Sequence, residues 1–252
     1  MHTPSAMDLL LAWERGLDQS PARRALALLG ACSPDIASDK LAALPVGARD
    51  ARLLRLRESL FGDSIAAVSR CPECGEKLDV AFNVDDVLDA PPEAIDKVIG
   101  DPGIQAHHLN AGDYDVTYRL PTSADLIAVS LLPDDSASQQ ALLQRCVIGV
   151  QQSGVSTTID MLPDTVITAL SNDMANADPH AQIELALNCP ACDHAWHSLF
   201  DIASFLWSEI HAWAQRILHE VHTLARAYGW RELDILTMSP TRRQIYLDLA
   251  QS

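Results

Sequence analysis

Two cysteine pairs, set far apart along the chain, constrain the fold more than any other feature of the sequence. The first lies in Cys71-Pro72-Glu73-Cys74-Gly75 and the second in Cys189-Pro190-Ala191-Cys192-Asp193. Two residues between the cysteines of a pair let both sulfurs face one ion while backbone N–H groups turn toward the thiolates. Two such knuckles supply four soft ligands, the number a closed tetrahedral zinc site takes. Ordinary zinc ribbons hold their pairs roughly 15–20 residues apart. Here 114 residues (75–188) separate Cys74 from Cys189. The spacing therefore predicts a split ribbon with a whole subdomain inserted between its halves, and Cys71, Cys74, Cys189 and Cys192 as ligands of one structural Zn2+.

The competing readings are metal-free turns, two disulfides, or a redox dithiol. Disulfides across loops this short are strained, and cysteines used as knuckles point to a reducing cytoplasm. Neither motif sits between a strand and a helix of a βαβ unit, as a thioredoxin-like dithiol would. Four thiolates leave no open position for water, so the expected site holds structure and does not catalyse. His194 and His197 lie close enough in sequence to replace one Cys or to donate to a thiolate. Asp193 stands where a knuckle usually has Gly, and Asp tolerates a left-handed backbone better than most residues.

With 48% hydrophobic and 21% charged residues, the chain can bury a sizeable core. No apolar run reaches the roughly 18 residues of a membrane span. The opening Met1-His2-Thr3-Pro4 does not read as a secretory leader, so a cytoplasmic protein is expected. The formal charge of −16 is uneven. Residues 1–60 hold 8 Lys/Arg against 7 Asp/Glu, and residues 61–252 hold 10 against 27, giving +1 and −17. The body carrying the knuckles would repel a phosphate backbone, which argues against nucleic acid and for a protein partner.

Residues 1–62 read as a helical layer. Ser20-Pro21 opens a helix that Gly30 is expected to end. A second helix over 49–61 places Leu53, Leu56 and Leu60 on one stripe, with Arg52, Arg55 and Arg57 off it as a solvated face, the other reading being a patch for phosphate or an acidic partner. Segments 65–69 and 78–82 flank the first knuckle as a hairpin, and 84–88 forms a turn of helix. Ala90-Pro91-Pro92 and Gly100-Asp101-Pro102-Gly103 mark loops that bound the insertion. Inside it, 105–109 and 114–120 make a second hairpin. Thr122 and Asp125 have capping-box spacing at the start of a helix reaching Leu132, and helices over 136–150 and 164–177 follow. Cys146, beside Leu142, Leu143 and Val150, reads as a buried structural thiol rather than a nucleophile. Residues 183–187 lead into the second knuckle, and 194–200 return from it.

From 201 to 228 neither Gly nor Pro interrupts the chain. Ile202, Leu206, Ile210, Trp213, Ile217, Val221, Leu224 and Tyr228 form one apolar stripe on a helix about 40 Å long. Gly229 ends it, and shorter helices over 230–238 and 240–250 follow. The expected fold is α+β and mostly helical. It comprises an N-terminal helical layer (1–62), the first half of a four-cysteine zinc ribbon (63–88) and a large insertion of hairpin and helices (89–181). The second half of the ribbon (182–200) and the long helix with its C-terminal helices (201–252) complete it.

No catalytic constellation survives inspection. His219-Glu220-Val221-His222 spaces its histidines at i and i+3, whereas a chelating metalloprotease helix needs i and i+4. His107 and His108, adjacent in a strand, point to opposite faces. There is no Gly-rich phosphate loop and no G-x-S-x-G. The expectation is a protein that is not an enzyme, and a hydrolase with an unrecognised site is the opposing class.

The C-terminal third carries Cys189-Pro190-Ala191-Cys192, Trp196, 201–210 and His222-Thr223-Leu224-Ala225-Arg226-Ala227-Tyr228-Gly229-Trp230. It closes with Arg242-Arg243-Gln244-Ile245-Tyr246-Leu247. These motifs resemble the accessory proteins of contractile phage tails and tail-like injection particles, the T4-type baseplate hub assembly chaperones. The resemblance covers 189–247 and takes in the first knuckle, but not the first 60 residues. It implies a non-enzymatic assembly factor that binds a hub or spike component. Tyr228, Trp230, Arg242, Arg243 and Tyr246 then form the expected partner-binding cluster, since aromatics and Arg are enriched at binding hot spots. The alternative is that Tyr228 and Trp230 lock the terminal helices together while Arg242 and Arg243 pair with Glu232 or Asp234. A generic zinc-ribbon adaptor, or a nucleic-acid-associated ribbon, is the other functional reading.

Overall fold

The computed structural model describes residues 2–88, 105–132 and 134–250. The loops expected at Ala90-Pro91-Pro92 and Gly100–Gly103 lie outside the described residues. In chain order the helices and strands begin with α1 (Ala6–Gly16), α2 (Pro21–Cys32), α3 (Ser38–Ala42) and α4 (Val46–Phe61). The hairpin β1 (Ser64–Arg70) and β2 (Lys77–Asn83) leads to the short α5 (Val84–Val87). Next come β3 (His107–Ala111), β4 (Tyr114–Tyr118), α6 (Ser123–Val129), α7 (Asp135–Cys146), β5 (Val147–Gln152), β6 (Val155–Thr157) and α8 (Asp164–Ala177). A second hairpin, β7 (Ile183–Asn188) and β8 (Ala195–Phe200), precedes α9 (Ile202–Tyr228), α10 (Glu232–Leu236) and α11 (Pro240–Ala250). The fold is mixed α and β with a long C-terminal helix, and none of the described helices is long and apolar enough to cross a membrane.

The chain divides into two compact units: Met1–Asp35 with Ala203–Ser252, and Ile36–Ile202. The first unit is helical. Ser5 and Asp8 close a reciprocal capping box on α1: Asp8 N–H donates to Ser5 Oγ (3.2 Å) and Ser5 N–H to Asp8 Oδ2 (3.1 Å). Helix α2 does not stop at Gly30 but runs on to Cys32. A mid-helix Gly costs roughly 1 kcal/mol against Ala. That is a small term beside Ala25, Leu28, Leu29 and Cys32, all removed from solvent on the helix's inner face. Along α9, Leu10, Ala214, Ile217 and Leu236 form one core cluster, and Leu224, Ile235 and Leu247 a second. Gly229, at φ +69°, ends α9 with its N–H on Ala225 O (2.8 Å). The helix expected over 230–238 is only α10, because Arg231 is extended and cannot be its first turn.

The second unit holds α4, the two knuckle hairpins and a four-stranded sheet. Sheet order is β3-β4-β5-β6, antiparallel throughout. Val116 and Tyr118 from β4, Val150 from β5, Cys146 from α7 and Leu170 from α8 make its core. The helix expected over 136–150 ends at Cys146, and Val147-Ile148-Gly149-Val150 is a strand. β-Branched residues on either side of a Gly suit a pleated ladder beside β4 better than a fourth helical turn. Thr122 and Asp125 do form the capping box, with Thr122 N–H on Asp125 Oδ2 at 3.0 Å.

The arginines of α4 overturn the expected solvated face. Arg52 is 1% exposed, Arg57 4% and Arg49 5%. Each lies in hydrogen-bonded surroundings that offset the cost of burying its charge. Arg57 donates to the carbonyls of Gly62 and Ser64 (2.7 and 2.6 Å), fastening the helix end to the entry of β1. Arg52 donates to Ala48 O (2.7 Å), and Arg49 grips Asp50 with two nitrogens (2.7 and 3.0 Å). Arg55 bridges Glu58 and Asp85, both at 2.9 Å.

Candidate metal centre

Each knuckle closes a regular antiparallel hairpin. The register of β1 and β2 runs from Ser64↔Asn83 to Arg70↔Lys77, and that of β7 and β8 from Ile183↔Phe200 to Asn188↔Ala195. At the first tip, Cys71 N–H donates to Glu76 O (2.9 Å) and Gly75 N–H to Cys71 O (3.0 Å). At the second, Cys189 N–H donates to His194 O (2.9 Å) and Asp193 N–H to Cys189 O (2.9 Å). The turns require a left-handed residue, which is Gly75 at φ +75° in one and Asp193 at φ +57° in the other. Asp at this position carries a modest conformational cost that Gly avoids.

The two tips meet. The sulfurs of Cys71, Cys74, Cys189 and Cys192 all lie within 4.8 Å of one another. Two of the separations are Cys71–Cys192, 3.7 Å, and Cys74–Cys189, 3.6 Å. A tetrahedral ion with metal–sulfur bonds of about 2.3 Å has ligand–ligand edges of about 3.8 Å. The cluster is therefore of the right size to hold one metal ion, and a set of four thiols is the donor chemistry of tetrahedral zinc or iron. Cys71 and Cys189 are buried, and Cys74 and Cys192 face solvent. Burial works against the Cys71 thiolate. Hydrogen bonds from the N–H groups of Cys74 and Glu73 and from neighbouring thiols outweigh it and lower the group to about 6. The N–H groups of Glu76 and His194 point in the same way at Cys74 and Cys192, although there burial and the neighbouring thiols outweigh them and raise both groups. Such amides hold thiolate charge in place, which is what a metal requires of its ligands.

At the open ends of the hairpins, five register pairs from the tips, Ile65 lies opposite Phe82 and Ile183 opposite Phe200. Phe82 and Phe200 meet edge to face with ring centroids 5.1 Å apart. Neither His194 nor His197 belongs to the ligand group among the described residues. His194 instead stacks on Trp196, 6.0 Å between centroids.

A longer correspondence between the hairpins went unread in the sequence. At a constant offset of 118 residues, Ile65, Cys71, Pro72, Cys74, Phe82, Val84 and Leu88 fall on Ile183, Cys189, Pro190, Cys192, Phe200, Ile202 and Leu206. The matching residues outside the CPxC motifs are apolar and sparse, so only the strand register makes the alignment plain. Comparing the chain with itself at the cysteine spacing would have found it.

The remaining candidate residues sit elsewhere. In the helical unit, Tyr228 stacks on Trp230 (4.5 Å), and Tyr246 stands edge-on to both (5.8 and 4.8 Å). Arg242 lies over the Tyr246 ring at 5.8 Å. Arg243 does not join them at the surface. It is 6% exposed, with Nε on Glu220 Oε2 (3.0 Å) and a second nitrogen on Met238 O (2.6 Å). Its partner is thus Glu220 on α9, rather than Glu232 or Asp234. His107 stacks on Tyr118 while His108 shares a hydrogen bond with Thr117 Oγ1 (3.1 Å), on opposite faces of β3. Cys146 is fully buried, and burial pushes its thiol up to about 11.

A family model described as T4 bacteriophage base plate protein matches residues 5–207, most of the chain and both knuckles. The chain belongs to that family. No curated protein sequence matches it, and no solved structure does. The match takes in the N-terminal residues that the C-terminal motifs had left aside. It ends before the Leu224–Leu247 motifs that first suggested a phage tail.

Proposed function

We propose that this protein is a non-enzymatic assembly factor for the base plate hub of a contractile tail, acting in the cytoplasm of the producing cell and binding a hub or spike component. The observation that carries this reading is the family match over residues 5–207, which spans the helical layer, the inserted sheet and both halves of the metal centre. A base plate is built by protein–protein contacts, and the acidic balance suits a protein partner better than nucleic acid. In this reading the four thiolates hold one Zn2+ that supplies folding energy and no chemistry. The stack of Tyr228, Trp230 and Tyr246, with Arg242 laid on it, is the partner-binding surface, Tyr228 being 37% exposed. Arg243 supports that surface from below through Glu220.

Co-expression with the open reading frames of its own tail-gene cluster tests the proposal. A stable complex with a hub or spike protein is expected, weakened by Arg242→Ala or Tyr228→Ala without loss of folded helix content. Recovery of no tail component, under conditions where the chain itself is folded, overturns the role.

A further inference from the structure

The repeat at 118 residues is structural as well as sequential. Adding 118 to each number turns the β1–β2 register into that of β7–β8: Ile65↔Phe82 becomes Ile183↔Phe200, and Arg70↔Lys77 becomes Asn188↔Ala195. The two tip hydrogen bonds of the first knuckle become those of the second, and the left-handed Gly75 becomes the left-handed Asp193. Burial follows the same rule. The first cysteine of each knuckle is buried and the second exposed, and Val84 and Ile202, which follow the hairpins, are 0% and 1% exposed.

The decisive relation is at the sulfurs. The Cys71–Cys192 contact, advanced by 118 at Cys71 and set back by 118 at Cys192, becomes Cys189–Cys74. The two distances are 3.7 and 3.6 Å. Exchanging the hairpins thus maps these two sulfur contacts onto each other, and Phe82 and Phe200 are each other's counterparts in an edge-to-face pair. This is the signature of a two-fold axis passing through the middle of the four sulfurs.

From this we infer that residues 65–88 and 183–206 are two copies of one metal half-site, and that a single tetrahedral ion on their pseudo-two-fold axis clasps the two ends of the inserted segment together. The inference rests on the zinc reading above and adds to it that the halves are equivalent and exchangeable. A half-site alone offers two thiolates, too few for a closed site. Neither hairpin holds the ion by itself, and occupancy reports that both ends of the insertion have met. The chemical class of ligand is a thiophilic, tetrahedral dication. Phe82 and Phe200 pack the open ends of the two hairpins against each other, away from the sulfurs.

The test uses the full chain, with Co2+ as a spectroscopic probe and elemental analysis for native metal. Wild type is expected to carry one zinc and, after exchange, one Co2+ with the sulfur-to-metal charge-transfer and ligand-field bands of a tetrahedral four-sulfur site. Cys71→Ser and Cys189→Ser should weaken Co2+ binding by the same factor, more than about 100-fold. Phe82→Leu and Phe200→Leu, at corresponding points of the two hairpins, should match one another in whatever change they make to Co2+ affinity. A chain carrying Ala191→Glu, Asp193→Gly and His194→Glu, which gives both tips the sequence of the first, should bind one Co2+ with unchanged spectrum. This variant retains all four sulfurs and so separates exchangeability from simple failure to fold. A wild-type chain without metal, or with iron, sinks the zinc reading itself. One ion in wild type, but lost in the matched-tip chain or weakened on one side only by the paired substitutions, overturns the duplicated half-site while leaving the zinc reading standing. Binding to a hub protein bears on neither outcome.

Discussion

Asp50 and Asp125 are both nearly inaccessible to water, 7% and 1% exposed, yet they pull stability in opposite directions as pH changes. For Asp50, burial dominates. The Arg49 guanidinium only partly offsets it, and Asp201 and Asp178 add repulsion, so its carboxyl is raised from 3.8 to about 6. The folded chain binds that proton more tightly than the unfolded one. Its contribution is therefore most favourable below about pH 4 and is lost as pH rises to about 6. Asp178 is raised in the same direction, chiefly by burial. For Asp125, burial is outweighed by Arg119 (2.6 and 2.9 Å), Thr122 and Arg145 (2.9 Å), which hold it well below the usual carboxylate range. Its stabilisation is present above the ordinary carboxylate pKa and is lost as pH falls beneath it. Thermal denaturation from pH 8 to pH 4 should show stability gained on acidification through about 6, and Asp50→Asn should flatten that segment of the curve. Asp125→Asn should cost about 2–3 kcal/mol at pH 7 by urea denaturation, near the low end for breaking a buried ion pair because Arg145 is 45% exposed.

Among elements, the hairpins and α8 were legible in the sequence, because alternation, knuckle and cap signals all agree there. Helix α8 spans the expected residues 164–177, and β1 and β2 flank the first knuckle as expected. Three features were not legible, each for a physical reason. The α4 arginines look like a polar face because periodicity counts charge and not the carbonyls of Gly62, Ser64 and Ala48 that receive them. Strand β5 continues the apolar pattern of α7 without a break, and only a ladder formed with β4, distant in sequence, decides for strand. The sheet likewise depends on long-range pairing that local propensity does not encode. Helix α4 also depends on an absent side chain. A Cβ on Gly47 would run into the Asp178 carboxylate and sit 2.8 Å from Ala181 N, while Gly47 N–H donates to Asp178 Oδ2 (2.9 Å). Gly47→Ala should lower stability by about 1–3 kcal/mol, read from the urea midpoint at unchanged slope.

At the scale of the whole molecule, acidic charge and the four-cysteine cluster are concentrated in one unit. Met1–Asp35 with Ala203–Ser252 holds 8 Lys/Arg and 9 Asp/Glu, and Ile36–Ile202 holds 10 and 25, or −1 against −15. If the cysteines hold zinc as proposed, a strong chelator should expose Ile36–Ile202 to limited proteolysis while the helical unit, which contributes none of the four cysteines, stays protected. Uniform digestion of both would argue that the ion has no local structural role. If a basic partner docks on the acidic unit, affinity should fall as salt rises, since exposed charges are screened within about 8–10 Å at physiological ionic strength. A salt-insensitive complex would leave the Tyr228, Trp230 and Tyr246 stack of the helical unit as the whole contact.

Phe82 touches Phe200, and Phe200 lies opposite Ile183 in its hairpin. The polypeptide thus leaves the clasp and comes back to it at neighbouring points. Whatever is threaded between those points is tethered like a bead on a closed ring. That ring is also pinned across its middle, since Asp178 and Pro121 within it accept the N–H groups of Gly47 and Val46.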